Sequence, residues 1–168
     1  ATKILHAATS EMFGDQHQAG LQTEETPFNP TNPYAVTKMY AYWMGQIYKR
    51  SYNLFIANAI LFSHESPLRG ENFVTRKIAQ GVAKIKLGLA DQLVLGNIDS
   101  QRDWGFAGDY VEAMWLIAQQ ATADNFILST GQVHTIREFL DVAFSAVGIE
   151  DWTPYVKIDP QLYRPIDL

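Results

Sequence analysis

The chain has 168 residues, of which 47% are hydrophobic and 18% charged, with a formal net charge of −5 and no cysteine. This composition suits one folded domain of ordinary size and excludes a disordered chain. The acidic balance argues against a duplex nucleic-acid binder, and the lack of thiols excludes disulfides, thiolate chemistry and cysteine-based zinc sites while fitting a reducing cytoplasm.

In chain order, Lys3 to Thr9 is a short apolar run with little periodicity and reads as a buried parallel strand. A chain that opens inside a strand is expected to be a fragment. It shows no charged leader of a signal peptide and no run of about 18 apolar residues that would span a membrane. Asp15 to Asn32 is polar, with Gly20, Pro27 and Pro30, and is expected to be a loop. Pro33 then opens a helix whose apolar residues Val36, Met39, Tyr40, Trp43 and Ile47 recur at three and four. The aromatic stripe of that helix is expected to pack a core or a subunit interface. Leu54 to Phe62 reads as a second buried strand, and 63–72 as a loop.

Val74, Ile78, Val82 and Ile85 set a second helix starting at Phe73, with Asn72 as a candidate cap and Gly88 as a stop. Gln92 to Leu95 is a short strand. Asp109 to Gln120 is a helix with Val111, Met114, Trp115 and Ala118 on one face, and Asn125 to Ser129 is another strand. Thr135 and Glu138 have the spacing of a capping box, opening a helix that runs towards Gly148. Three prolines from Asp151 onward predict an extended loop.

Strands alternating with helices of this length predict an α/β fold: an incomplete doubly wound, Rossmann-like parallel sheet, second half only, plus a small α/β substrate-binding region. Residues 1–62 are assigned to the Rossmann-like half. Residues 63–168 are assigned mainly to the substrate-binding region, with sheet elements interleaved. No glycine-rich dinucleotide fingerprint occurs, so the half that cradles a cofactor is expected to be absent.

Tyr34 and Lys38 lie four apart on the first predicted helix, hence on one face. An ammonium beside a phenol favours the phenolate, which could take a proton from a hydroxyl. Thr9, Ser10 and Glu11 end an apolar strand, where ligands bind in open α/β sheets. Together they make a coherent proton-handling set. Taken singly, Arg76, Lys77 and Arg102 read as solvated surface charge. His6, His17, His64 and His134 are scattered without metal-ligand spacing, so no metal site is expected.

The Thr-Ser-Glu-Met-Phe-Gly run at 9–14 and the Pro-Tyr-Ala-Val-Thr-Lys run at 33–38 resemble the extended short-chain dehydrogenase/reductase family. The runs at 60–67, 69–77, 95–99 and 102–105, with Arg164 and Pro165 near the end, are similar to its GDP-mannose 4,6-dehydratases. The resemblance covers nearly the whole chain. It departs from that pattern at Ser63, where asparagine is common, at Leu68, where arginine is common, and at Phe106, where histidine is common.

The resemblance implies a redox-neutral loss of water from a GDP-hexose, with NADP as cofactor. Tyr34 would remove the C4 hydroxyl proton while the C4 hydride is transferred. Glu11 would abstract the acidified C5 proton and help expel the C6 hydroxyl, and the hydride would return to C6. Thr9 would hydrogen-bond the C4 oxygen, and Lys38 would hold the nicotinamide ribose. The implied catalytic residues are Thr9, Glu11, Tyr34 and Lys38. Those implied for the cofactor are Tyr34, Lys38, His64 and Arg69. Those implied for the GDP-sugar substrate are Ser63, Asn72, Val74, Lys77, Arg102 and Arg164. A homo-oligomer is implied as well. Two other readings stay open on the sequence: another nucleotide-sugar dehydratase or epimerase of the same family, and an inactive fragment that binds ligand or associates through an exposed half-sheet.

Overall fold

A computed structural model describes residues 2–14 and 20–163. The elements are β1 (Lys3–Thr9), α1 (Pro33–Tyr52), β2 (Phe55–Leu61), β3 (Ser63–Glu65), α2 (Val74–Lys86), β4 (Leu93–Leu95), β5 (Gln101–Arg102), β6 (Trp104–Phe106), α3 (Ala107–Gln119), β7 (Asn125–Leu128), β8 (His134–Thr135), α4 (Ile136–Ser145) and β9 (Val156–Ile158). They fall into two compact units, one of residues 1–64 and 104–131, the other of 65–103 and 132–168.

The first unit is built on a parallel sheet of order β1-β2-β7. Six of the seven β2 residues are buried, as a central strand covered on both faces requires. Successive side chains alternate between the two faces. Ala57, Ala59 and Leu61 pack with Tyr110 and Ile117 of α3. Ile60 packs with Ala8, Met12, Phe13 and Tyr42, the last from α1. Helices therefore cover both faces, the doubly wound arrangement expected from the alternation of elements. The segment 104–131 belongs with this unit because β7 pairs with β2 in register, Asn58 opposite Asn125 through Leu61 opposite Leu128.

Helix α1 carries two apolar stripes about one residue apart. Ala35 and Tyr42 are buried and Met39 packs beside them, at positions i, i+4 and i+7. The neighbouring stripe of Val36, Tyr40, Trp43 and Ile47 turns away, with Tyr40 66% and Trp43 48% exposed. Within this chain the aromatic stripe is thus not core. In α3 the predicted face also divides. Met114 packs inward with Tyr110 and Ile117, whereas Val111 and Trp115 are exposed. At the β7 edge, the Ile127 N–H donates to Glu24 Oε1 at 2.9 Å, so a loop side chain occupies part of that edge.

The second unit packs α2 and α4 around Ile78, Val82, Ile85, Leu93, Leu95, Ile98, Leu140 and Phe144. The anticipated capping box is formed: Glu138 N donates to Thr135 Oγ1 at 3.0 Å and Thr135 N donates to Glu138 Oε2 at 3.0 Å. Gly88 lies at φ +68°, two residues beyond the end of α2, in the left-handed conformation that suits a helix stop.

Three expectations are corrected. The segment 63–72 is not all loop, because Ser63–Glu65 forms β3. Asn72 does not cap α2, because Phe73 holds the cap position and no side chain bonds there. The tail is not simply extended loop. Val156–Ile158 forms β9, parallel to β4, and Asp159 N donates to Leu95 O at 2.8 Å. Its apolar residues Tyr155, Val156 and Ile158 pack against the unit's core, which offsets the conformational cost of ordering a proline-containing segment. The two-residue strands β5 and β8 are too short for any periodicity to announce them.

Candidate active site

The carboxyl end of β1 is where the first unit gathers its chemistry. Thr9 is the last strand residue and is buried. Its Oγ1 accepts from Glu11 N at 3.3 Å, capping a single 3-10 turn at Ser10–Phe13. Met12 and Phe13 anchor that turn in the core, and Phe13 meets Phe28 with ring centroids 5.4 Å apart. Gly14 closes it at φ +59°, and a Cβ there would stand 1.7 Å from Asn29 O. Only glycine permits both that conformation and that approach. Glu11 is therefore presented on a backbone fixed on both sides.

Helix α1 starts beside it. Asn32 is its N-cap, with Oδ1 accepting from Ala35 N at 2.8 Å, and Pro33 occupies the first helical position, where a missing N–H costs nothing. The Asn32 amide also donates from Nδ2 to Glu11 Oε2 at 2.5 Å. Tyr34 follows in the first turn and is 52% exposed. Lys38 reaches back over the strand and donates to Ala7 O at 2.9 Å, with Nζ 5.8 Å from the Tyr34 ring centroid. Thr9, Glu11, Tyr34 and Lys38 thus all belong to one strand end and the helix start tied to it. Asn32, which does the tying, is the residue that sequence reasoning missed. Its signal was an asparagine just before a helix-opening proline.

A second missed feature lies beneath α1. His6, Asn58 and Asn125 stand opposite one another across the three strands. His6 Nδ1 bonds Asn58 Oδ1 at 2.9 Å, and Asn58 Nδ2 donates to Asn125 Oδ1 at 2.8 Å. Asn58 Nδ2 faces Asn125, so its Oδ1 is the acceptor and His6 carries its proton on Nδ1. The rung ends on α1, where Asn125 Nδ2 donates to the Tyr42 hydroxyl at 2.9 Å and Gln46 Nε2 donates to Asn125 Oδ1 at 2.8 Å. Burial lowers the His6 pKa from 6.5 against the raising effect of the Asn58 bond, and the Lys38 charge lowers it further. Burial, then the charges of Glu25 and Asp124, raise that of Tyr42. A polar asparagine inside the Phe-Ile-Ala-Asn-Ala-Ile-Leu strand was the visible signal.

The other predicted residues are held as follows. Ser63 and His64 lie on β3, where His64 Nδ1 donates to Phe62 O at 2.8 Å and its ring stacks on Tyr110 with centroids 4.8 Å apart. In the second unit Arg69 pairs with Glu65 at 3.2 Å and lies 3.5 Å over the Phe73 ring, while Thr75 Oγ1 donates to Glu65 at 2.8 Å. Asn72 and Lys77 are exposed, and Val74 is half-buried. Arg102 Nη1 donates to Gln101 O at 2.6 Å. Arg164 lies outside the described residues. Among the described residues no group of three acidic, histidine or cysteine side chains could hold a metal ion, and no helix is long and apolar enough to cross a membrane.

A family model described as GDP-mannose 4,6 dehydratase matches residues 1–168. GDP-mannose 4,6 dehydratase 1 of Arabidopsis thaliana is 51% identical over 168 residues, covering 100% of this chain and 46% of that protein. The Homo sapiens GDP-mannose 4,6 dehydratase is 44% identical over 184 residues, covering 100% and 49%. Among solved structures, RMD from Pseudomonas aeruginosa complexed with NADPH superposes with a TM-score of 0.85 at 26% identity, covering 92% of this chain and 52% of that one. A dTDP-glucose 4,6-dehydratase from Bacillus anthracis in complex with NAD shares the fold, with a TM-score of 0.82 at 19% identity over 94% of this chain and 49% of that one. The chain spans about half the length of the curated relatives it matches. With the family model matched from end to end, the chain belongs to the GDP-mannose 4,6-dehydratase family.

Proposed function

We propose that this chain is the catalytic part of an enzyme that dehydrates GDP-mannose to GDP-4-keto-6-deoxymannose by NADP-dependent internal hydride transfer, a lyase reaction. The observation that carries the reading is the joining of Glu11, Tyr34 and Lys38 at the carboxyl end of β1. NADP fits the residues present: the Tyr34 phenol is open, and Lys38 spends one of its three N–H groups on Ala7. When bound, NADP supplies acceptance and return of the hydride.

The chain's own residues then handle protons. Tyr34 takes the proton of the C4 hydroxyl, with Lys38 one helical turn along, its Nζ 5.8 Å from the Tyr34 ring centroid. Glu11 takes the C5 proton, made acidic by the adjacent carbonyl, and returns it to the departing C6 hydroxyl as water leaves. As C6 is reduced, C5 takes up a proton from solvent, and Tyr34 releases the proton it took from the C4 hydroxyl, so the protons balance. Thr9 donates to the C4 oxygen. Within the second unit, Asn72, Val74, Lys77 and Arg102 are assigned to the nucleotide, with a guanidinium fork suited to phosphate oxygens; Arg164 shares that assignment. His64 and Arg69 are assigned to the cofactor.

The exposed stripe of Val36, Tyr40, Trp43 and Ile47 is assigned to a second copy of the chain, giving a homo-oligomer. The absence of thiols fits a cytoplasmic protein.

The test is turnover of GDP-mannose, UDP-hexoses and dTDP-hexoses by the natural protein that carries these residues, with bound NADP assayed on the same sample. GDP-mannose turnover that Tyr34→Phe abolishes, with GDP-sugar binding kept, is expected. Near-normal turnover in that variant removes Tyr34 as the base. A natural protein without NADP or turnover makes the chain a binding or assembly module instead.

A further inference from the structure

Capping a helix needs only an acceptor. An N-cap side chain supplies an oxygen to a backbone N–H of the first turn, and serine, threonine, aspartate and asparagine all do this. Asn32 performs that role through Oδ1, which accepts from Ala35 N at 2.8 Å. Its Nδ2 is surplus to the cap, and it is spent on Glu11 Oε2, 21 residues away in the chain.

The orientation of this amide is fixed from both sides. The Ala35 N–H can only donate, so the asparagine oxygen must face it. A carboxylate can only accept, so the amide nitrogen must face Glu11. Turning the amide over would set donor against donor and oxygen against oxygen. Aspartate at this position would cap without a donor for Glu11. Serine would cap from a shorter stem, with one oxygen for both tasks. Asparagine serves both at once.

Glu11 has its backbone held by the buried Met12 and Phe13 and by the Thr9 bond, and Asn32 holds its carboxylate. The same residue starts the helix that carries Tyr34 and Lys38. We propose that Asn32 is a positioning residue for Glu11, setting the carboxylate against the helix that bears Tyr34. The proposal rests on the reading of Glu11 as the C5 base, and it adds a residue that acts only through Glu11.

Two measurements separate the proposal from that reading. The first needs no turnover. In nitrogen-15 spectra of the natural protein that carries these residues, the Asn32 side-chain amide signal is expected to shift on Glu11→Gln, which removes the carboxylate it donates to. An Asn32 amide signal indifferent to Glu11→Gln overturns the proposal, whether or not the enzyme turns over GDP-mannose.

The second uses the complete enzyme. Asn32→Asp keeps the cap acceptor but replaces the donor to Glu11 with a like charge. We expect kcat to fall roughly 10- to 100-fold with KM changed less than about twofold, as for a misplaced reacting group. The acid limb of the kcat profile moves to higher pH. Asn32→Ser, which keeps a cap without the added charge, lowers kcat less and moves the limb less. If Asn32→Asp matches the parent in kcat and in pH profile, Asn32 is a cap alone and the proposal fails. If the parent enzyme lacks dehydratase activity, the proposed function fails, and the spectra still decide whether Asn32 holds Glu11.

Discussion

Truncating Asn58 to alanine tests how far the buried polar rung supports the first unit. Asn58 is fully buried and makes two side-chain bonds, to His6 at 2.9 Å and to Asn125 at 2.8 Å. Its partners are left in unequal positions. Asn125 Oδ1 keeps the Gln46 donor at 2.8 Å, so it loses only the net value of one bond, about 1 kcal/mol. The His6 N–H loses its acceptor while half-buried, which costs about 1 kcal/mol, the lower end for an orphaned donor. The space left by the amide adds about 1 kcal/mol. The sum is about 3 kcal/mol, or a melting temperature lower by roughly 6–12 °C in a chain of this length.

Urea unfolding followed by far-ultraviolet circular dichroism measures the loss, and hydrogen exchange at the β2 amides assigns it to the first unit. Because His6 and Asn58 share a bond, the pair His6→Ala and Asn58→Ala should cost about 1 kcal/mol less than the sum of the single changes. A loss below about 1 kcal/mol, with no coupling between the two sites, would refute the view that the rung is a supporting contact.

His6 also makes stability depend on pH. Burial lowers its pKa in the folded chain below the ordinary 6.5, so between those two values the unfolded chain binds more protons. This contribution is complete above about pH 6.5 and is lost as pH falls towards the folded value. Replacement by glutamine should flatten the fall in urea midpoint over that window, and an unchanged slope would exclude His6 as its source. Gly14→Ala should lower stability by about 2 kcal/mol or more, because the residue combines φ +59° with a Cβ position 1.7 Å from Asn29 O; a thermal melt equal to the parent's would contradict the geometry. Thr135→Ala removes the cap half of the box on α4 and should cost about 1 kcal/mol in urea unfolding; an unchanged midpoint would show that the cap contributes nothing net.

Periodicity and spacing along the chain announced the longer elements and their type, but not the two- and three-residue strands β3, β5, β6, β8 and β9. The apolar runs at β1 and β2 lie where strands form, and the recurrences at three and four lie where α1, α2 and α3 form. Thr135 and Glu138 made a capping box because three residues along a helix start is a local distance. Tyr34 and Lys38 shared a face for the same reason, since four residues is about one helical turn.

Tertiary structure decided what depends on register between distant segments. The aromatic stripe of α1 was visible, yet only packing against the sheet settled that the neighbouring Ala35, Met39 and Tyr42 go inward and that Tyr40 and Trp43 do not. Two adjacent apolar stripes compete for one sheet, and the pattern alone does not rank them. The His6–Asn58–Asn125 rung joins residues 52 and 67 positions apart, and it exists only once three parallel strands align. The Asn32–Glu11 contact likewise closes a 21-residue separation. Hydrogen bonds reach about 3 Å, so no spacing along an unfolded chain reveals which polar groups will meet. The fold brings them together, and the sequence then supplies the donors and acceptors that match.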